Sequence, residues 1–307
     1  MDILIFIVAM GALIYGADFI IEQSEKIALK YNISSFVIGA TLVAVGTSLP
    51  EMAVSMSASI KGSADIAVAN VIGSTIFNIS LVLGAVFLIS KKIKPDRDLF
   101  AKDSAWSLFP ILVFILMGID GKLNFIDGIL FLCLMAGYLL FLIQSNQVEE
   151  IEEDEDKDSF SWPKSIGLLL IGFVFVIGGA DFAIDSAGNI ARQFGISEWI
   201  IGLFLVAFGT SLPELMISIK SALKNNADLA IGNIIGSNVA NFTMVLGLSS
   251  MINPLNVDLS ANFFDISAAF IASVMLVFIT ANKLYNKSAG IALMVILALV
   301  IQNSLAA

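Results

Sequence analysis

The sequence predicts an all-α integral membrane protein, with ten transmembrane helices arranged as two inverted five-helix repeats. Three observations predict it. Hydrophobic residues make up 58% of the 307-residue chain and charged residues only 14%, against about 25% charged in soluble domains. Apolar stretches near the roughly 20 residues needed to cross a bilayer recur along the chain. Two long blocks of sequence return at one fixed offset. Mean hydropathy is +0.94. Such a chain has too little polar surface to cover a water-facing globule, which excludes a secreted enzyme, a nucleic-acid binder and a disordered scaffold.

The spans read in order as 3–21, 35–60, 66–89, 104–119, 125–143, 164–184, 198–222, 228–251, 263–281 and 289–306. The first follows Met1-Asp2-Ile3, with no positive segment before it and no small-residue cleavage site after it, so it reads as a retained span. The second and seventh carry Pro50 and Pro213. Each lacks an N–H and crowds the carbonyl four residues back, so a helix break is expected there. The third and eighth open on Asp65 and Asp228, where a carboxylate complements a helix N-terminus, so both read as caps. The fifth holds Cys133, the single cysteine, so no internal disulfide can form. Trp106, Tyr138, Trp162 and Trp199 fall near span ends and read as interfacial aromatics. Asp18 and Asp181, in the GADF segments, also read as interfacial.

Loop charge orients the chain. With the N-terminus outside, 13 Lys and Arg residues fall in inside loops and three, Lys61, Lys122 and Arg192, outside. Both termini are therefore expected outside a cell membrane crossed many times. The net charge of −10 is local: 149–158 holds eight of the 26 acidic residues, leaving 18 against 16 basic ones elsewhere. That run reads as a solvated cytoplasmic linker.

GADF at 16–19 recurs at 179–182, ISSFVIGATLVAVGTSLPE at 33–51 as ISEWIIGLFLVAFGTSLPE at 196–214, and ADIAVANVIGSTIFNISLVLG at 64–84 as ADLAIGNIIGSNVANFTMVLG at 227–247. The offset is always 163, and the second block is identical at 13 of 19 positions. The chain thus divides into a first repeat (1–145), the acidic linker (146–163) and a second repeat (164–307). Five spans separate equivalent positions, an odd number, so the copies are expected upside down relative to one another. Secondary transporters are built this way, with the substrate site near the midplane.

Glu51 and Glu214 stand inside long apolar spans at equivalent positions. A mid-bilayer carboxylate costs about 2.5–3.5 kcal/mol on insertion scales, and two facing carboxylates repel unless a cation lies between them or one is protonated. Thr47 and Ser48 precede Glu51 by four and three residues, on one helical face that Ser55 continues. The copy offers Thr210, Ser211 and Ser218. A second stripe, Asn70, Ser74 and Asn78, recurs as Asn233, Ser237 and Asn241. Asn70 and Asn233 read equally well as helix–helix glue or as ligands. A lone Ser or Thr in such a helix is usually satisfied by a backbone carbonyl, but the duplicated set is not explained that way. With no histidine in the chain, the donors are oxygens only, which suits a hard cation such as Ca²⁺ or Na⁺.

The motifs GTSLPE (46–51 and 209–214) and GSTIFN/GSNVAN (73–78 and 236–241) resemble the two α-repeats of the sodium/calcium exchanger family, in its compact ten-helix prokaryotic form. The resemblance covers essentially the whole chain. It implies a central metal site built from Glu51 and Glu214, the hydroxyls of Thr47, Ser48, Thr210 and Ser211, the carbonyls of Ala44 and Ala207, and Ser74, Asn78, Ser237 and Asn241. It also implies that the first and sixth spans move as a gating pair. Asn241 stands where K⁺-dependent relatives carry Asp, which argues against K⁺ co-transport, and the G-N-A-x-E motif of H⁺-coupled relatives is absent.

The reading is an antiporter, not an enzyme, exchanging Na⁺ for Ca²⁺ by alternating access. A proton-coupled or other cation exchanger on the same scaffold is the alternative. A channel is disfavoured because one duplication builds one enclosed site rather than a ring. A non-transporting sensor would rest on the acidic run alone. No nucleotide motif is present. The ions are cargo, no cofactor is expected, the bilayer is the solvent, and the chain reads as a monomer. Replacing 149–158 with a neutral flexible linker should leave ion exchange in proteoliposomes largely intact. Complete loss of exchange in a normally folded variant would move the transport site to that run.

Overall fold

The computed structural model describes residues 2–62, 64–90, 93–145, 161–193 and 209–306. It is helical almost throughout: α1 (Asp2–Tyr31), α2 (Ser35–Thr47), α3 (Leu49–Ile60), α4 (Asp65–Ile89), α5 (Ser104–Asp120), α6 (Phe125–Gln144), α7 (Trp162–Gln193), α8 (Leu212–Leu223), α9 (Ala227–Ile252), α10 (Phe263–Ala281) and α11 (Lys287–Ala306). Among the described residues seven helices are long and apolar enough to cross a membrane, and α2 with α3 forms an eighth span bent by 44°. The fourth predicted span, α5, is shorter, with 3-10 turns at both ends. The first half of the seventh predicted span lies outside the described residues, and α8 is its second half. The only strands among them, β1 (Lys122–Leu123) and β2 (Leu255–Asn256), pair antiparallel and clip the turn after α5 to the turn after α9.

Helix α9 forms the centre; 94% of its apolar window is buried, against 28% for α1 and 33% for α7. Phe36 and Ala40 of α2 lie against Gly232 and Gly236 of α9, so these two helices run parallel. Gly84 of α4 meets Gly290 of α11, and its equivalent Gly247 of α9 meets Gly128 of α6. Each repeat thus packs its central helix against the other repeat's last helix.

Helices α1 and α7 pair along their length at one side of this body. Gly16 lies against Gly172, and Gly179 against Ala9. Contact order reverses along the chain, so the pair is antiparallel. Small residues are what let membrane helices approach this closely. Both ends are pinned: Trp162 Nε1 donates to the Tyr31 hydroxyl at 2.5 Å, and Asp2 accepts from Asn189 at 3.2 Å and Gln193 at 3.0 Å.

Three expectations are corrected. The first and sixth spans run on as helix well past 21 and 184, because their polar turns stay helical, as in the Lys26–Glu22 pair four residues apart. Tyr138 is not interfacial: it is fully buried, its ring 5.1 Å from that of Trp106. Asp228 does not cap its own helix. Asn226 does, accepting from Leu229 N–H at 3.0 Å, while Asp228 accepts from the backbone N–H groups of Asp96 and Arg97. Trp162 sits half-exposed at the start of α7, and Trp199 lies outside the described residues.

A Cβ on Gly16 would stand 2.8 Å from the Gly172 carbonyl oxygen, whereas one on Gly11 meets nothing within 4 Å. Gly16→Leu should therefore lower stability by about 1–3 kcal/mol through overpacking, seen as a lower thermal midpoint in detergent. Gly11→Leu should leave it unchanged. Equal midpoints for the two variants would contradict the close α1–α7 seam.

Candidate cation site

The site begins with a backbone break made twice. Ser48, between α2 and α3, has φ −82° and ψ 7°, and its equivalent Ser211, before α8, has φ −88° and ψ 2°. In each case proline occupies the first turn of the helix that follows. It offers no N–H to the residue four back, so the preceding helix cannot continue through it. The two breaks place Glu51 and Glu214 in the first turns of α3 and α8. A helix N-terminus carries partial positive charge, which favours a carboxylate there. Both side chains are completely buried.

The break also redirects the hydroxyls. An unbroken helix would align Thr47 and Ser48 with Glu51, as their spacing suggested. Instead they cross to the other repeat. Ser48 Oγ donates to Glu214 Oε1 at 3.3 Å, and the hydroxyls of Thr47 and Ser237 face the same carboxylate. Reciprocally, Thr210 faces Glu51, and the two carboxylates lie close enough to repel. Among the described residues neither acid has an ion-pair partner. Phe173 of α7 covers the α2 break from the side: a Cβ on Gly46 would fall 2.1 Å from its ring.

Helices α4 and α9 close the site. Their π turns, Phe77–Leu83 and Asn241–Val245, contain Asn78 and Asn241. Such turns recur at functional sites. Asn78 Nδ2 donates to Asn238 Oδ1 at 3.1 Å. Thr47 Oγ1 lies 3.4 Å from both Asn233 Oδ1 and Ser237 Oγ. The Ala44 carbonyl draws Thr47 Oγ1 at 3.1 Å and Ser237 Oγ at 3.5 Å, and it also accepts the Ser48 N–H. Ala207 lies outside the described residues.

An outer layer repeats in both halves. Asn70 Nδ2 donates to Ser55 Oγ at 2.9 Å, and Ser55 Oγ to the Ala67 carbonyl at 3.5 Å. Asn233 Nδ2 donates to Ser218 Oγ at 3.1 Å, and Ser218 Oγ to the Ala230 carbonyl at 3.4 Å. Ser55 and Ser218 therefore brace neighbouring helices. Asn70 also acts as glue, donating to the Glu51 carbonyl at 3.2 Å. Asn233 braces with its nitrogen and turns its oxygen to Thr47.

Thr75 and Asn238 were missed by the sequence reading. Both are buried within this region. They follow Ser74 and Ser237 at equivalent positions, and a polar residue at the same place in both copies was the available signal.

Several buried oxygens have no hydrogen-bond partner: both of Glu51, Oε2 of Glu214, the hydroxyls of Ser74, Thr75, Thr210 and Ser211, and the side-chain oxygens of Asn78 and Asn241. Buried polar atoms are nearly always paired, and two uncompensated buried charges are strongly unfavourable. A cation among them satisfies both demands. The donor set is oxygen throughout and fits a hard ion. Among the described residues no group of three or more Asp, Glu, Cys or His is placed to hold a metal ion, so charge compensation falls on two carboxylates with neutral oxygens around them.

Comparison with known proteins agrees with this chemistry. A family model described as sodium/calcium exchanger protein matches residues 1–144 and 164–305. The sodium/calcium exchanger MaX1 of Methanosarcina acetivorans is 30% identical, with 95% of each chain covered. The membrane protein MJ0091 of Methanocaldococcus jannaschii is 43% identical over 80% of each chain. A structure of the sodium-calcium exchanger NCX_Mj, soaked without Na⁺ and Ca²⁺, superposes with a TM-score of 0.85 at 35% identity over 98% of each chain. The matched models span both copies of the GTSLPE and GS-x-x-x-N motifs that build the site, and the chain belongs to the sodium/calcium exchanger family of multi-pass membrane antiporters.

Proposed function

We propose that this cation/Ca²⁺ exchanger couples Ca²⁺ movement to Na⁺, electrogenically and without K⁺. The observation that carries the reading is the reciprocal crossing at the centre: each repeat's glutamate is met by the other repeat's hydroxyls. Glu51 and Glu214 hold the ion. Thr47, Ser48, Thr210, Ser211, Ser74, Asn78, Ser237 and Asn241, with the Ala44 and Ala207 carbonyls, complete its shell. The sequence repeat, the antiparallel pairing of the equivalent helices α1 and α7, and the matched packing of α4 on α11 and α9 on α6 support two inverted five-helix halves, 1–145 and 164–307. Ten spans then follow, with α5 as the fourth and α8 as part of the seventh. The acidic segment 146–163 joins the halves on the cytoplasmic side, and both termini face outward across the cell membrane. One chain contains the whole site, so a monomer suffices to bind the ion.

Ion choice follows from charge. One Ca²⁺ or two Na⁺ balances the two carboxylates. The neutral oxygens beside them accept a further Na⁺, which leaves the Na⁺-loaded state with one extra positive charge. Asn241 adds no third carboxylate, which disfavours binding K⁺ as well. One charge moved across the membrane is worth about 2.3 kcal/mol per 100 mV, enough to bias exchange by tens of fold.

Two measurements follow. Glu51→Gln and Glu214→Gln keep side-chain shape but remove one charge from the shell. Each should reduce Ca²⁺ uptake by proteoliposomes to near background while the protein still inserts and purifies. Near-normal uptake by either variant removes that glutamate from the site. For the wild-type protein, valinomycin-clamped K⁺ potentials should speed or slow Na⁺-driven Ca²⁺ uptake according to sign, and a protonophore should act only through voltage. Uptake that follows a pH gradient at zero voltage and ignores Na⁺ would establish proton coupling instead.

A further inference from the structure

The two equivalent acids of the α1–α7 pair have different surroundings in this structure. Near the middle of α1, Asp18 binds two lysines at the C-terminal end of α8. Lys220 Nζ donates to Asp18 Oδ2 at 2.5 Å and to the Ile14 carbonyl at 3.2 Å, and Lys224 Nζ lies 3.0 Å from Asp18 Oδ1. About two helical turns further along α1, Asn226 Nδ2 donates to Glu25 at 2.8 Å.

The 163-residue offset maps Asp18 onto Asp181 of α7, Lys224 onto Lys61 just after α3, and Lys220 onto Ser57. The acid and one of its two lysines are thus duplicated. Asp181 and Lys61 are both exposed, and neither has an ion-pair partner among the described residues. Because α1 and α7 are antiparallel, their C-terminal halves, which carry Asp18 and Asp181, lie toward opposite ends of the pair.

We propose that Asp18 with Lys220 and Lys224, and Asp181 with Lys61, are alternative latches of which one is closed at a time. The proposal rests on the alternating-access reading above. Helices α1 and α7 are joined at both ends and along their seam, so they move as one body. The remainder is built from two equivalent halves. A shift of the body that exchanges the surroundings of equivalent residues opens the Asp18 latch and brings Asp181 to Lys61. Phe173, packed on Gly46, carries the same displacement to the backbone break beside Thr47. The closed latch has two lysines where the other has one lysine and a serine, which biases the protein toward the arrangement seen here.

The test uses the full chain with Cys133→Ala, reconstituted in proteoliposomes and treated with a short bismaleimide. One variant carries Asp18→Cys and Lys224→Cys, a second carries Lys61→Cys and Asp181→Cys, and a third carries all four. Bridges are scored by mass, so the result does not depend on which ion drives transport, and a failure of Na⁺ coupling is read separately from wild-type Ca²⁺ uptake. Each pair is expected to form a bridge, and each four-cysteine molecule to hold one bridge or the other. Adding Asp18→Asn to the second variant weakens the closed latch and should speed its bridging several-fold. Both bridges in a single molecule, no bridge between positions 61 and 181, or an Asp18→Asn rate that is unchanged or slower would each overturn the proposal.

Discussion

Two buried carboxylates without a protein counter-charge set the terms for the rest of this molecule. Glu51 and Glu214 are completely enclosed, lie close enough to repel one another, and have no basic partner among the described residues. No apolar packing compensates that arrangement, because the desolvation of each charge exceeds what surrounding side chains of a hydrophobic helix return. The structure meets the cost in three ways. Each acid sits in the first turn of a helix. Hydroxyls from both repeats meet the pair, those of Thr47, Ser48 and Ser237 at Glu214 and that of Thr210 at Glu51. The remaining oxygens have no protein partner, and these are the ones proposed to take a mobile cation. A permanent lysine or arginine would stabilise the site more simply, but it would also occupy the place that an exchanged ion needs.

Duplication supplies the geometry. A single repeat offers one carboxylate and a set of hydroxyls that its own helix break turns away from that carboxylate. Two copies, brought together with α1 and α7 antiparallel, aim each set at the other acid. The site therefore exists only at the junction, and a relative displacement of parts alters it for both copies at once. The helices divide along the same line. The stripe-bearing α9 is almost wholly enclosed, whereas α1 and α7 touch the body along one side and each other along a glycine seam. Membrane helices packed through small residues gain dispersion contacts without long interdigitating side chains.

Much of this was legible in the sequence. Ten apolar segments, a repeat at constant offset and two acids in the middle of hydrophobic runs are local or periodic signals, and they located the fold class and the Glu51–Glu214 centre. What was not legible depended on direction in three dimensions. The spacing of Thr47, Ser48 and Glu51 suggested one helical face. The break at Ser48 sends the hydroxyls across the repeat junction, which no count of residues along one helix reveals. Tyr138 read as an interfacial ring because aromatic residues near span ends usually are. Here it turns inward onto Trp106, filling space that a one-dimensional pattern does not register. Asp228 read as its helix's own cap, but Asn226 two residues earlier reaches the free N–H first, freeing Asp228 to tie down the chain at Asp96 and Arg97.

The central claim is that the two glutamates jointly hold the transported ion at the repeat junction. Crystals of this protein soaked in Sr²⁺, an anomalous scatterer that stands in for Ca²⁺, test it by position. The account predicts one dominant anomalous peak within bonding distance of carboxylate oxygens from both Glu51 and Glu214, lost when Na⁺ is raised. A dominant peak elsewhere, or one that contacts a single glutamate and is indifferent to Na⁺, would contradict it.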